Sequence, residues 1–192
     1  GYTLDQNAPP TFAQFFNASD EHRGQTIYRL INGIWTRVQN PAVTPMRNGE
    51  AFWVYCNGGS GFDGPLSVET QSRQGIVLQN GTDNLILRNR ADHPVQPTIK
   101  HVTDGAAGVP MAVMIDVTGE NSESLKSVAV ALGAGDWNQS MPALEAGDSI
   151  RVPLALVSDD AVSAETTSLL CIQTDLGTET WIPVTGLRED LQ

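Results

Sequence analysis

Ala146-Gly147-Asp148-Ser149-Ile150-Arg151-Val152-Pro153-Leu154-Ala155-Leu156 couples a Gly-Asp turn to eight residues rich in Ile, Val and Leu. A turn former followed by a short apolar strand is the unit that recurs on both sides of this stretch. Strands are expected over 85–90, 97–102, 110–117 and 125–132 before it, over 149–156 within it, and over 168–174 and 179–184 after it. Asp104-Gly105, Thr118-Gly119 and Leu176-Gly177 supply turn chemistry between them. Seven or eight short strands in about 120 residues is the pattern of an antiparallel β-sandwich, and no segment reads as a crossover helix. Pro183 cannot donate to a ladder, so the last strand is expected at an edge, open to strand addition by a second copy.

Upstream the pattern changes. In Pro9-Pro10-Thr11-Phe12-Ala13-Gln14-Phe15-Phe16, Thr11 and Gln14 are spaced as a capping box, and Phe12, Phe15 and Phe16 share a helical face, so a short helix is expected. Runs over 26–30 and 34–38, joined through Ile31-Asn32-Gly33, predict a β-hairpin over 27–38. Ala51-Phe52-Trp53-Val54-Tyr55-Cys56 is apolar throughout, which predicts a strand covered on both faces at the centre of the first part. Asn57-Gly58-Gly59-Ser60-Gly61 ends it, and Pro65-Leu66-Ser67-Val68-Glu69 is expected to close the small sheet. The expected fold is all-β: a small antiparallel β module with one short helix over 1–70, then a β-sandwich over 71–192.

Composition narrows the partners. Eleven Lys and Arg against 22 Asp and Glu give a net charge of -11 in 192 residues. Nucleic acid and an anionic membrane surface need a basic face that this balance does not readily supply. The apolar runs fall far short of the roughly 20 residues of a membrane span, so no membrane insertion is expected. An export signal, if the protein has one, is expected to have been removed.

Two resemblances carry the compartment. Tyr28-Arg29-Leu30-Ile31-Asn32-Gly33-Ile34-Trp35 followed by Ala51-Phe52-Trp53-Val54-Tyr55 resembles a small aromatic-hairpin module of bacterial secreted and surface proteins, over about residues 10–68. The second part, through Leu85-Ile86-Leu87-Arg88-Asn89, the 144–156 stretch and Thr174-Asp175-Leu176-Gly177, is similar to bacterial immunoglobulin-like domains. The resemblance implies export (secreted, periplasmic or cell-surface) and a scaffold or adhesive role, and transfers no site. The cysteine pair and core tryptophan of antibody domains are not matched.

Chemistry is sparse. Cys56 and Cys171 lie far apart in strand-like runs and read as buried thiols rather than a disulfide. His22, His93 and His101 form no metal motif, and a loose calcium site around Asp104, Asp159 or Asp160 competes with plain solvated charge. The serine of Gly58-Gly59-Ser60-Gly61 lacks nucleophile-elbow context and reads as a turn. No catalytic residue, metal ligand or cofactor is assigned.

The aromatic residues have functional reach. Tyr28, Trp35, Trp53 and Tyr55 lie on adjacent expected strands, where they either fill a small core or form a stacking platform for sugar rings. Trp137 and Trp181 are isolated aromatics open to the same two readings. The leading expectation is a non-catalytic secreted or cell-surface structural or adhesive protein acting through protein or glycan contacts. The alternative is a pair of carbohydrate-binding accessory domains of a secreted hydrolase, and a self-contained enzyme ranks third.

Overall fold

The alternating runs become strands in the computed structural model of the protein, which describes residues 2–5, 7–79, 81–105, 107–118, 125–157 and 165–187. In chain order the elements are β1 (Tyr2–Leu4), α1 (Phe12–Phe16), β2 (Ile27–Ile31), β3 (Ile34–Arg37), β4 (Phe52–Val54), β5 (Leu66–Thr70), β6 (Ile76–Leu78) and β7 (Thr82–Asn89). There follow β8 (Pro97–Val102), β9 (Met111–Thr118), β10 (Leu125–Gly133), β11 (Trp137–Ser140), β12 (Ser149–Leu156), β13 (Glu165–Thr174) and β14 (Thr178–Leu187).

These strands form three sheets. One runs β1-β14-β13-β8-β11 with β6 also on β14, the second runs β10-β9-β12-β7-β5, and the third is β3-β2-β4. The named pairings are antiparallel except β6 with β14. The first two sheets share one core, in which Ile99, Leu170, Ile172, Ile182 and Val184 meet Leu85, Leu87, Met111, Val152 and Leu154. Strand β8 shows the cause: Pro97, Ile99 and His101 are buried while the residues between them are half-buried, the period of two that a pleated strand imposes. From β7 to β13 the chain passes repeatedly between the sheets, which makes a β-sandwich of immunoglobulin-like architecture.

The third sheet has its own core. Phe12, Phe15 and Phe16 of α1 pack with Leu4, Ile27, Val38 and Met46. The helix starts where the sequence puts it: Gln14 N donates to Thr11 Oγ1 at 3.2 Å and Thr11 N donates to Gln14 Oε1 at 2.8 Å. The hairpin turns on Asn32 and Gly33, whose φ angles of 49° and 78° are the left-handed pair of a type I′ turn.

Three expectations are corrected. The apolar strand of the first part is an edge of its sheet, not its centre: β2 lies between β3 and β4, and Phe52, Trp53 and Tyr55 are exposed. A three-stranded sheet with one helical layer covers only one face, so an all-apolar run leaves half its side chains in solvent. Leu66–Thr70 does not close the small sheet but pairs with β7 in the sandwich, so the last strand of the small sheet ends at Val54.

Pro183 is not at an edge either, since β14 lies between β13 and the two short strands β1 and β6. On that flank β1 pairs only with residues up to Thr180 and β6 only from Val184, so Pro183 falls in the interval that neither reaches. Pro153 of β12 follows a similar rule: it pairs with Asn84 on one side, and on the other the pairing with β9 begins only at Leu154. A proline survives in an interior strand where the ladder on one side is absent. Strands β1, β6 and β11 were not foreseen. The Thr118-Gly119 turn falls partly outside the described residues.

Candidate functional site

Strand register decides which side chains share a face of β3-β2-β4. Tyr28 lies opposite both Arg37 and Trp53, and Leu30 lies opposite Trp35. Because neighbours across an antiparallel pair point the same way, and alternate residues of a strand do too, Tyr28, Leu30, Trp35, Arg37 and Trp53 occupy one face. Ile27, Arg29, Thr36, Phe52 and Val54 take the other, where Ile27 is buried against α1 and Phe52 packs edge-on at 5.8 Å from Phe12 and 5.6 Å from Phe16.

The aromatic face is turned to solvent. Trp35 is 52% exposed, Trp53 51%, Tyr55 50% and Leu30 41%, with Tyr28 half-buried between them. The Tyr28 and Trp53 rings lie 5.8 Å apart and the Trp53 and Tyr55 rings 6.5 Å apart. All four aromatics named from the sequence are thus brought together on one open surface, and the core of this part is filled instead by α1. Sequence reasoning missed Leu30 and Arg37 as members of this face. The signal was present, since each is two residues from an aromatic on its own strand.

Arg37 is the one cation on this face and makes no ion pair among the described residues, whereas Arg29 on the covered face lies 3.6 Å from Glu50. Between Thr26 and Asn57 there are three arginines and a single glutamate, in a chain with twice as many acidic as basic residues.

Other polar clusters have local explanations. Ser19 Oγ donates to Glu21 Oε2 at 2.7 Å, so the His22 imidazole, 2.8 Å from the same oxygen through Nδ1, must donate to it. The hydroxyl proton points at the carboxylate, not at the imidazole, which is a turn lock rather than a nucleophile with its base. The Ser19 hydroxyl holds the Glu21 carboxyl below its usual value. His93 pairs with Asp92 at 2.8 Å on the surface, and its hydrogen bond lowers the Asp92 carboxyl. His101 is buried, hydrogen-bonds Gly135 O through Nδ1 at 2.7 Å and stacks 5.4 Å from Trp137. Trp181 donates to Thr3 Oγ1 at 3.1 Å.

Ser60 Oγ accepts from Phe62 N at 3.1 Å, as a turn serine does. Cys171 is buried, and burial first, with Glu179 beside it, raises its thiol to about 11; Cys56 is a half-buried free thiol. Among the described residues no three His, Cys, Asp or Glu side chains converge as a metal site, and no helix is long and apolar enough to cross a membrane. Asp104 is exposed, while Asp159 and Asp160 lie outside the described residues.

No protein-family model matches the chain, and no curated protein matches it. Among solved structures it is similar to the Salmonella enterica SafA pilin in complex with the SafB chaperone, at 13% identity and a TM-score of 0.40. That match covers 66% of this chain and 56% of the other, so the chain spans little more than half of that structure. The PapD-like domain of human CEP192 is similar at 10% identity and a TM-score of 0.38, covering 67% and 87%. The Calx CBD1 domain is similar at 12% and 0.35, covering 65% and 98%. Likenesses at this level carry no residue of the aromatic face and no activity.

Proposed function

We propose that this chain is a non-catalytic adhesive module, secreted, periplasmic or on the cell surface, that binds a glycan or protein through its aromatic face. The observation that carries this reading is the placement of Tyr28, Trp35, Trp53 and Tyr55 together in solvent, on a sheet whose opposite face already has a core. A contiguous apolar surface of this kind is retained at a cost in solubility, and exposed rings, here inclined 51° and 62° to their neighbours, suit the apolar faces of sugars or an aromatic-lined protein contact. The same surface would serve an accessory domain of a secreted hydrolase.

The test is a binding screen against glycans and extracellular-matrix proteins with the whole chain, alongside Trp35→Ala and Trp53→Ala. Both side chains are half in solvent, so each variant is expected to stay folded and to lose binding ten-fold or more, about 1.4 kcal/mol or above. Binding unchanged in both folded variants would remove the face from the mechanism.

A second reading, self-association, is supported by β10. It pairs with β9 alone among the described strands, and its Ser127-Val128-Ala129-Val130-Ala131-Leu132-Gly133 segment has no charge, with Val128 46% and Val130 44% exposed. Edges are normally protected by charge, and on β10 the only charged residue is Lys126 near its start, which leaves the segment from Ser127 onward without one. A second copy pairing antiparallel about Ala129 would set Val128 against Val130 of the partner. The expected result is a salt-strengthened dimer, because screening relieves repulsion between chains of net charge -11. Val130→Lys should return the protein to monomer in sedimentation; a monomer at every salt and concentration refutes it.

A further inference from the structure

We infer that the aromatic face recognises an anionic glycan, one carrying isolated carboxylates, with a sugar ring over Tyr28 and Trp53 and the carboxylate at Arg37; this rests on the glycan branch of the proposed function. Register is the first support. Arg37, Tyr28 and Trp53 form one row straight across the three strands, since Tyr28 is the direct partner of both others. Adjacent strands are roughly 4.8 Å apart, so the guanidinium stem stands one strand away from the ring platform. A carboxylate substituent of a stacked ring is within its reach.

Charge is the second. Arg29 has Glu50 at 3.6 Å on the covered face, and that glutamate is the only acidic residue between Thr26 and Asn57. Arg37 has no ion-pair partner among the described residues and shares its face with the aromatic residues, a local reversal in an acidic chain. A planar guanidinium takes a carboxylate through two parallel N–H donors.

Magnitude decides which anion. Outside this segment the chain holds 21 of its 22 acidic residues, against eight Lys and Arg. A dense polyanion, whether a heavily sulfated polysaccharide or a nucleic acid, gains from many phosphate- or sulfate-binding cations at once and would meet one here, with repulsion elsewhere. A sparsely carboxylated chain needs only the one.

The experiment measures binding of the whole chain to an immobilised polyuronate, the same polymer with its carboxyls reduced to alcohols, a densely sulfated polysaccharide and a single-stranded oligonucleotide. Wild type is expected to prefer the polyuronate to its reduced form by about three- to five-fold at low salt, the scale of an exposed ion pair. Arg37→Gln should erase that preference yet still bind both polymers; Arg37→Lys should keep part of it, and Trp53→Ala should lose both. Equal binding of the two polymers, or a preference untouched by Arg37→Gln, overturns the inference and leaves the aromatic-face reading standing. Tightest binding to the sulfated polymer or the oligonucleotide overturns the assignment of ligand. No saccharide bound, with tryptophan-dependent capture of a matrix protein, overturns the glycan branch alone.

Discussion

Asn89, at the end of β7, shows how one side chain can organise a junction. It is buried, and its amide nitrogen donates to His93 O at 2.8 Å and Leu144 O at 2.9 Å while its oxygen accepts from Ala91 N at 2.7 Å. Truncation would leave Ala91 N and His93 O short of a partner, at about 1–3 kcal/mol for each one that water cannot reach, while Leu144 O keeps Val95 N at 3.0 Å. Asn89→Ala is therefore expected to lower unfolding free energy by about 2–4 kcal/mol in urea titration; a loss below about 0.5 kcal/mol, the scale of a neutral surface change, would mean water replaces the amide. The sequence offered no sign of this role, because an asparagine before a turn reads the same whether it faces solvent or backbone. Cys171 was legible as a buried thiol, and Cys56 only partly so, being half-buried at the end of an exposed edge strand.

At the scale of elements, local chemistry was easiest to read. The capping box of α1 and the Asn32-Gly33 turn are satisfied within a few residues, so no distant contact was needed to foresee them. The joint of β8 and β11 was hidden. Asp136 Oδ1 accepts from Thr103 N at 2.8 Å and from Thr103 Oγ1 at 2.7 Å, across a separation of 33 residues. Those hydrogen bonds, the hydroxyl first, hold the carboxyl below its ordinary 3.8. A carboxyl lowered on folding stabilises the native state fully above its ordinary value, and that contribution is lost as pH falls through the folded value. Asp136→Asn should thus be less stable than wild type at pH 7, with the gap closing below about pH 4. Thermal melts of both proteins from pH 7 to pH 3 measure it, and a gap that stays constant would detach Asp136 from the joint's stability.

At the scale of the whole molecule, the N-terminal part is tied to the sandwich at both ends. Strand β1 pairs with β14 and β5 with β7, while Leu4 also enters the phenylalanine core. Asn48 clamps Leu4, accepting from its N–H at 2.9 Å and donating to its carbonyl at 2.7 Å. Gly177, at φ 74°, lies so close to the Ala8 carbonyl that a Cβ would collide, and its own oxygen takes Asp5 N at 2.7 Å. With these shared strands the chain is expected to unfold in one calorimetric transition, the van't Hoff and calorimetric enthalpies agreeing. Two resolved transitions would show that the parts before and after residue 70 melt as separate units.

The amino-acid order alone determined the all-β class, the strand positions from 97 onward except β11, the helix and the hairpin, because each rests on a period or a turn a few residues long. It also held the alternation that places Tyr28, Leu30, Trp35 and Arg37 on one side of the hairpin. Only the tertiary structure decided which side that was. Once Phe12, Phe15 and Phe16 cover one face of β3-β2-β4, the aromatic face is left to solvent, and an apolar residue carries no mark in sequence of whether a partner will arrive to bury it. The same reason moved Leu66–Thr70 into the sandwich and Pro183 into an interior strand: pairing partners are chosen across the fold, by which neighbours reach a given register and which stop short.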